Sequence, residues 1–127
     1  MIKLTYLIFP RDDLDREQAR KLWVEDHGAM MLRHAATLRV ARYVQTPHVP
    51  HPLDETMAAV RGIEHRMPLG LAEIYWASQD DLEFSFSDPD ARRAYRELLE
   101  DEKRFAAPVL APWLGFEREI IACEAAE

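Results

Sequence analysis

The sequence predicts an α+β fold of order βαββαβ, in which a four-stranded antiparallel sheet carries both main helices on one face. Three observations lead there. The chain has 127 residues, a length that fits one core and one domain over residues 1–127. Its apolar residues alternate between a period of two and a period near 3.6, in the order strand, helix, strand, long loop, strand, helix, strand. Two right-handed βαβ crossovers joined in that way build an antiparallel sheet with its helices on the same side. One sheet face is then bare, and an apolar bare face is normally covered by a second copy, so a homodimer is expected.

Composition narrows the function. With 48% hydrophobic and 31% charged residues the chain is an ordinary soluble globular protein, and no apolar run is long enough to span a membrane. The net charge of −7, with no long basic cluster, argues against nucleic acid as a partner. The opening Met-Ile-Lys-Leu-Thr-Tyr-Leu-Ile-Phe runs into an acidic turn and lacks the layout of a secretory signal, and Cys123 stands alone. A cytoplasmic location is expected.

Taken in order, residues 2–9 form a strand with Leu4, Tyr6 and Ile8 on one side and Thr5, Leu7 and Phe9 on the other. Asp15, followed three residues later by Gln18, has the layout of a capping box, so the first helix starts near Arg16. Along it Ala19, Leu22, Trp23, Asp26 or His27, Met30 and His34 keep the helical period. Gly28 weakens that helix, which is expected to bend or restart beside His27. Residues 38–46 read as the second strand, with Tyr43 and Gln45 on one side and Arg42 on the other. Between Pro47 and Gly70 lies a proline-rich connection enclosing a short helix that Asp54 could cap and Gly62 could end.

Residues 71–77 are the third strand, with Ala72, Ile74 and Trp76 opposite Glu73 and Tyr75. Asp80 to Phe84 begins a short helical turn, and Asp88-Pro89 supplies the N-cap and first residue of the last helix. That helix buries Ala91, Ala94, Tyr95, Leu98 and Phe105. Trp113 to Cys123 reads as the fourth strand.

The stretch from Trp23 to His34 is where chemistry concentrates. Steps of four, three and four residues bring Trp23, His27, Met30 and His34 to one helix face, an apolar stripe bearing titratable rings. Ordinary core packing uses the same spacing. The first strand, Trp23-x-x-x-His27, the Leu38-Arg39-x-x-Arg42-Tyr43-Val44-Gln45 strand, Gly70 to Trp76, and Asp101-Glu102-Lys103-Arg104-Phe105 together resemble the EthD family of the dimeric α+β barrel superfamily. The family's tryptophan and histidine map onto Trp23 and His27, and its strand glutamate onto Glu73. Two departures stand out: Ala29 where proline usually follows the histidine, and a longer Pro47 to Gly70 connection. The resemblance implies a ferredoxin-like subunit, a dimeric α/β barrel and a cavity between helices and sheet. It does not fix the reaction.

Within such a cavity His27 is the candidate general base and Tyr6, on the helix side of the first strand, the candidate hydrogen-bond donor to an enolate oxygen. Trp23, Met30, Tyr43 and Trp76 would wall a small hydrophobic substrate. His34 is a second polar contact or a surface residue, and Glu73 a second acid/base or a structural ion pair with Arg42 or Arg39. No metal is expected, because His48 and His51 are held apart by the extended backbone at Pro50. No cofactor is expected either. The resulting expectation is a cofactor-free cyclase, dehydratase or isomerase acting on a hydrophobic carbonyl or aromatic, polyketide-like substrate. The alternatives are a cofactor-free monooxygenase and a non-catalytic ligand-binding dimer.

Overall fold

Strand β1 (Ile2–Ile8) lies inside the sheet, where both of its edges are paired. It runs antiparallel to β3 (Gly70–Trp76) on one side and to β4 (Trp113–Phe116) on the other, and β2 (Arg42–Pro47) pairs with the outer edge of β3. The computed structural model describes residues 1–108 and 111–124, and within them the strand order is β2-β3-β1-β4, all antiparallel. Because Ile2 stands opposite Trp76 and Ile8 opposite Gly70, the residues Ile2, Leu4, Tyr6 and Ile8 share a face with Ala72, Ile74 and Trp76. This face is buried under the helices and forms the core.

The first helical column has three parts. Helix α1 (Arg16–Lys21) begins at Asp15, whose carboxylate accepts the Gln18 N–H at 3.2 Å, and passes into a π-helical turn at Leu22–His27. Helix α2 (Gly28–His34) continues it, with the Gly28 N–H bonded back to the Trp23 carbonyl. The expected break beside His27 is therefore a widened turn. Gly28 itself keeps an ordinary helical φ of −59°. An extra residue in a π turn keeps a four-residue step on one face. Ala19, Trp23, His27 and Met31 accordingly form the buried line, while Met30 is only half-buried.

Where the second strand was expected to start at residue 38, the chain is still completing a helix stop. Arg39 takes a left-handed φ of 54°, with Arg39 N–H bonded to Ala36 O at 3.1 Å and Val40 N–H to Ala35 O at 2.9 Å. This is a Schellman arrangement, and it commits the backbone until Ala41 N–H reaches Tyr75 O. In the long connection, α3 (Leu53–Val60) starts after Pro52, and Gly62 follows it at a φ of 65°. Asp54 sits inside the first turn instead of capping it, and accepts from His51 N–H at 3.1 Å and His48 Nε2 at 2.9 Å.

After β3, Ser78 caps α4 (Gln79–Ser87), and Asp88 caps α5 (Pro89–Glu102) by accepting from Asp90 and Ala91 N–H. Helix α5 buries Ala91, Ala94, Leu98 and Asp101. The fourth strand ends at Phe116, well short of residue 123. Phe116 pairs with Ile2, the first residue of β1, so the residues that follow run past the end of their neighbour. Among the described residues no helix is long and apolar enough to cross a membrane.

The face of the sheet away from the helices is more charged than expected. Lys3 pairs there with Glu73 and Glu117, and the Arg42 guanidinium lies 4.9 Å over the Tyr75 ring. Leu7 and Trp113, exposed by 43% and 55%, supply its apolar part.

Gly70 shows why Trp23 can lie flat on the sheet. A Cβ there would stand 2.3 Å from the Thr46 carbonyl oxygen and 2.7 Å from the Trp23 ring, and the backbone oxygen cannot yield cheaply. Gly70→Ala is therefore expected to destabilise the fold by about 1–3 kcal/mol, the usual cost of overpacking. It should be read as a lowered urea midpoint with an unchanged slope.

Candidate functional site

The π turn ends on His27, a residue only 2% exposed whose ring reaches α5. Its Nδ1 lies 2.8 Å from Asp101 Oδ2 in the last turn of that helix. The other Asp101 oxygen accepts from Arg104 Nε at 2.7 Å, and the same guanidinium reaches Asp26 of the π turn at 3.6 Å. Phe105 closes one side of the imidazole, with ring centroids 5.3 Å apart and the planes at 68°.

This chain of contacts assigns protons. A carboxylate bound by Arg104 accepts but does not donate, so Nδ1 of His27 carries the hydrogen and Nε2 keeps a lone pair. Burial pushes the imidazole pKa below its ordinary 6.5, and the Asp101 carboxylate opposes that shift without reversing it. At neutral pH the ring is a neutral base.

A cavity of about 80 Å³ lies beside it, between the helices and the sheet. Its polar lining is His27, Tyr6 from β1, and Tyr95 and Glu102 from α5. Leu4, Met31, Ile74 and Leu98 make it otherwise apolar. Burial raises the pKa of Tyr6 well above 10.0 and that of Tyr95 above 10.0, so both hydroxyls stay protonated donors. Burial likewise raises Glu102 above 4.5. A wider groove of about 1390 Å³ runs along the outside of α5, and Leu99 and Glu102 belong to both spaces.

Of the residues singled out in the sequence, His27 and Tyr6 are brought together here. The others line different spaces. Trp23 is fully buried against Gly70, and Trp76 is buried with its indole N–H bonded to Leu38 O at 3.0 Å. Tyr43 faces a separate pocket between α2 and β2, where its hydroxyl accepts from Gln45 Nε2 at 3.2 Å. Met30 borders the outer groove, and His34 Nε2 meets Glu97 at 2.9 Å near the surface. The placement of Glu73 in the pocket is corrected: its alternation on β3 puts it on the opposite face, paired with Lys3. Arg42 and Arg39, the partners foreseen for it, lie instead over the Tyr75 and Phe84 rings.

Asp101, Glu102, Arg104 and Tyr95 were not foreseen as site residues. A signal existed, because Asp101 continues the Ala91, Ala94, Leu98 line, and an acid on a buried helix face needs a partner. Glu102 likewise follows Tyr95 and Leu98 at helical spacing. Among the described residues no three His, Cys, Asp or Glu side chains converge as a metal site.

A four-stranded antiparallel sheet in this order, with its helices on one face, defines a ferredoxin-like α+β protein. The EthD domain family matches residues 11–108, and the chain belongs to that family. Its structure is similar to that of an ethyl tert-butyl ether degradation (EthD) family protein from Bacillus halodurans. That likeness has a TM-score of 0.60 at 16% identity and covers 93% of this chain and 99% of the other. It is also similar to a dimeric protein of unknown function and ferredoxin-like fold from Bacteroides fragilis, with a TM-score of 0.55 at 13% identity. Here 90% of this chain and 93% of the other are covered. No curated protein sequence matches the chain.

Proposed function

We propose that the protein is a cofactor-free acid/base enzyme in which His27 Nε2 removes a proton next to the carbonyl of a small hydrophobic substrate. The observation that carries this reading is the buried His27–Asp101 hydrogen bond, which engages Nδ1 and leaves the lone pair on Nε2 of a ring that lines the cavity. Tyr6, a neutral hydroxyl in the same space, would hold the enolate oxygen as negative charge develops there. A cavity of about 80 Å³ suits the reacting end of a molecule, not a whole polycyclic one. The groove that shares Leu99 and Glu102 with it offers room for the apolar remainder.

The open sheet face supports a homodimer as the working form, with Leu7 and Trp113 as its exposed apolar part. The Bacteroides fragilis relative is described as dimeric. An exposed free thiol, Cys123, suits the reducing cytoplasm.

Proton abstraction is measured without knowing the natural substrate. Acetophenone in deuterated buffer, followed by proton NMR, should lose its methyl signal faster with the protein than without it. His27→Ala is expected to lower that rate by about 10²–10⁴, the usual worth of a general base, with the fold intact by circular dichroism. Because the folded imidazole titrates below its ordinary value, exchange should be complete at neutral pH and fall only as the pH drops below 6.5. Exchange at the blank rate, or unchanged in His27→Ala, contradicts the proposal. Light scattering on the same sample should give twice the mass of one chain; a monomer would contradict the dimer.

A further inference from the structure

Asp101 and Glu102 are neighbours in sequence with opposite surroundings. Asp101 is held by Arg104 and by the His27 N–H, the setting of an ionised carboxylate. Glu102 has no ion-pair partner among the described residues: Lys103 turns to Glu100, and Arg104 to Asp101 and Asp26. Its side chain lies among Leu4, Leu98, Tyr6 and Tyr95 instead. It is also the last residue of α5, where the carbonyl ends of the helix disfavour negative charge. The main chain of Glu102 serves the fold, its carbonyl accepting the Phe105 and Ala106 N–H groups, but among the described residues no hydrogen bond or ion pair engages the carboxyl. Burial lifts its pKa, so the acid form persists to higher pH than at an exposed glutamate. Two groups in one cavity are thus pushed apart, His27 toward the free base and Glu102 toward the free acid.

Building on the base assigned to His27 above, we propose that Glu102 is the general acid of the site and that the substrate class is a β-hydroxy carbonyl compound that loses water. Three of the four polar residues that line the cavity match the three loci of such an elimination. His27 Nε2 takes the proton from the α-carbon, and Tyr6 hydrogen-bonds the carbonyl oxygen. The electron pair of the broken C–H bond becomes the new C=C bond, the β C–O bond breaks, and Glu102 gives its proton to the departing hydroxyl to form water. Imidazolium and carboxylate are left, and transfer of one proton from the first to the second restores both groups. No oxidant or reductant enters. Simple enolisation needs a base and one donor only. A second acid, without an ion pair among the described residues and bordering the groove through which water could leave, is what elimination adds.

The test compares two reactions of one ketone head. The probes are acetophenone, for α-deuterium exchange, and the aldol of acetophenone with acetaldehyde, whose loss of water gives crotonophenone, followed by ultraviolet absorbance. Glu102→Gln is expected to slow elimination by about 100-fold or more, a clearly larger loss than it causes in exchange, and Glu102→Asp should recover part of the elimination. His27→Ala should lose both. Independently of turnover, infrared spectra of the wild-type protein should carry a protonated-carboxyl band that persists to higher pH than that of an exposed glutamate and that Glu102→Gln lacks. Equal loss of exchange and elimination in Glu102→Gln, or absence of that band, overturns the assignment. Wild-type protein that exchanges but does not eliminate also overturns it, leaving the His27 base intact. Protein that does neither overturns both.

Discussion

The hydrogen bond between His27 Nδ1 and Asp101 Oδ2 joins the first helical column to the end of the last helix inside the core. Neither partner could be buried alone at tolerable cost, since an unpaired imidazole N–H or carboxylate away from water loses its hydration without return. Arg104 completes the arrangement by occupying the other Asp101 oxygen and reaching back to Asp26, so the π turn and the helix end are tied twice. From that arrangement follow the tautomer of His27 and the placing of Glu102 one residue beyond Asp101.

The widened turn matters because it decides which residues the column buries. With the extra residue between Leu22 and His27, the four-step line Ala19, Trp23, His27, Met31 meets the sheet, and Trp23 settles on the one β3 position with no side chain. The indole thereby becomes a rigid support and not a wall of the site. The small cavity is left to His27, the aromatic hydroxyls and Glu102. A largely apolar surround is also what pushes His27 toward its free base and Glu102 toward its free acid.

Much of the fold was legible in the sequence. Alternation in residues 2–9 and 71–77 gave the correct faces, and Asp15 and Asp88 marked helix starts through ordinary capping chemistry. The second strand began later than its alternation suggested because a helix stop at Arg39 had first claim on the backbone. The fourth ended early because β1 gave it no further neighbour. Of the residues around the small cavity, His27 and Tyr6 could be singled out from residue type and strand parity. The tryptophans could not be separated from core by spacing alone, and a π turn leaves no clear periodic signature. Asp101 and Glu102 were harder, since which of two adjacent acids meets an arginine depends on tertiary contacts with Arg104 and the π turn.

The protonation state of the His27 ring is what the chemistry turns on, and nitrogen NMR of the protein labelled at histidine reads it. At neutral pH the His27 signals should report a neutral imidazole with hydrogen on Nδ1 and none on Nε2. An Nε2-protonated tautomer, or an imidazolium persisting above pH 7, would contradict the account.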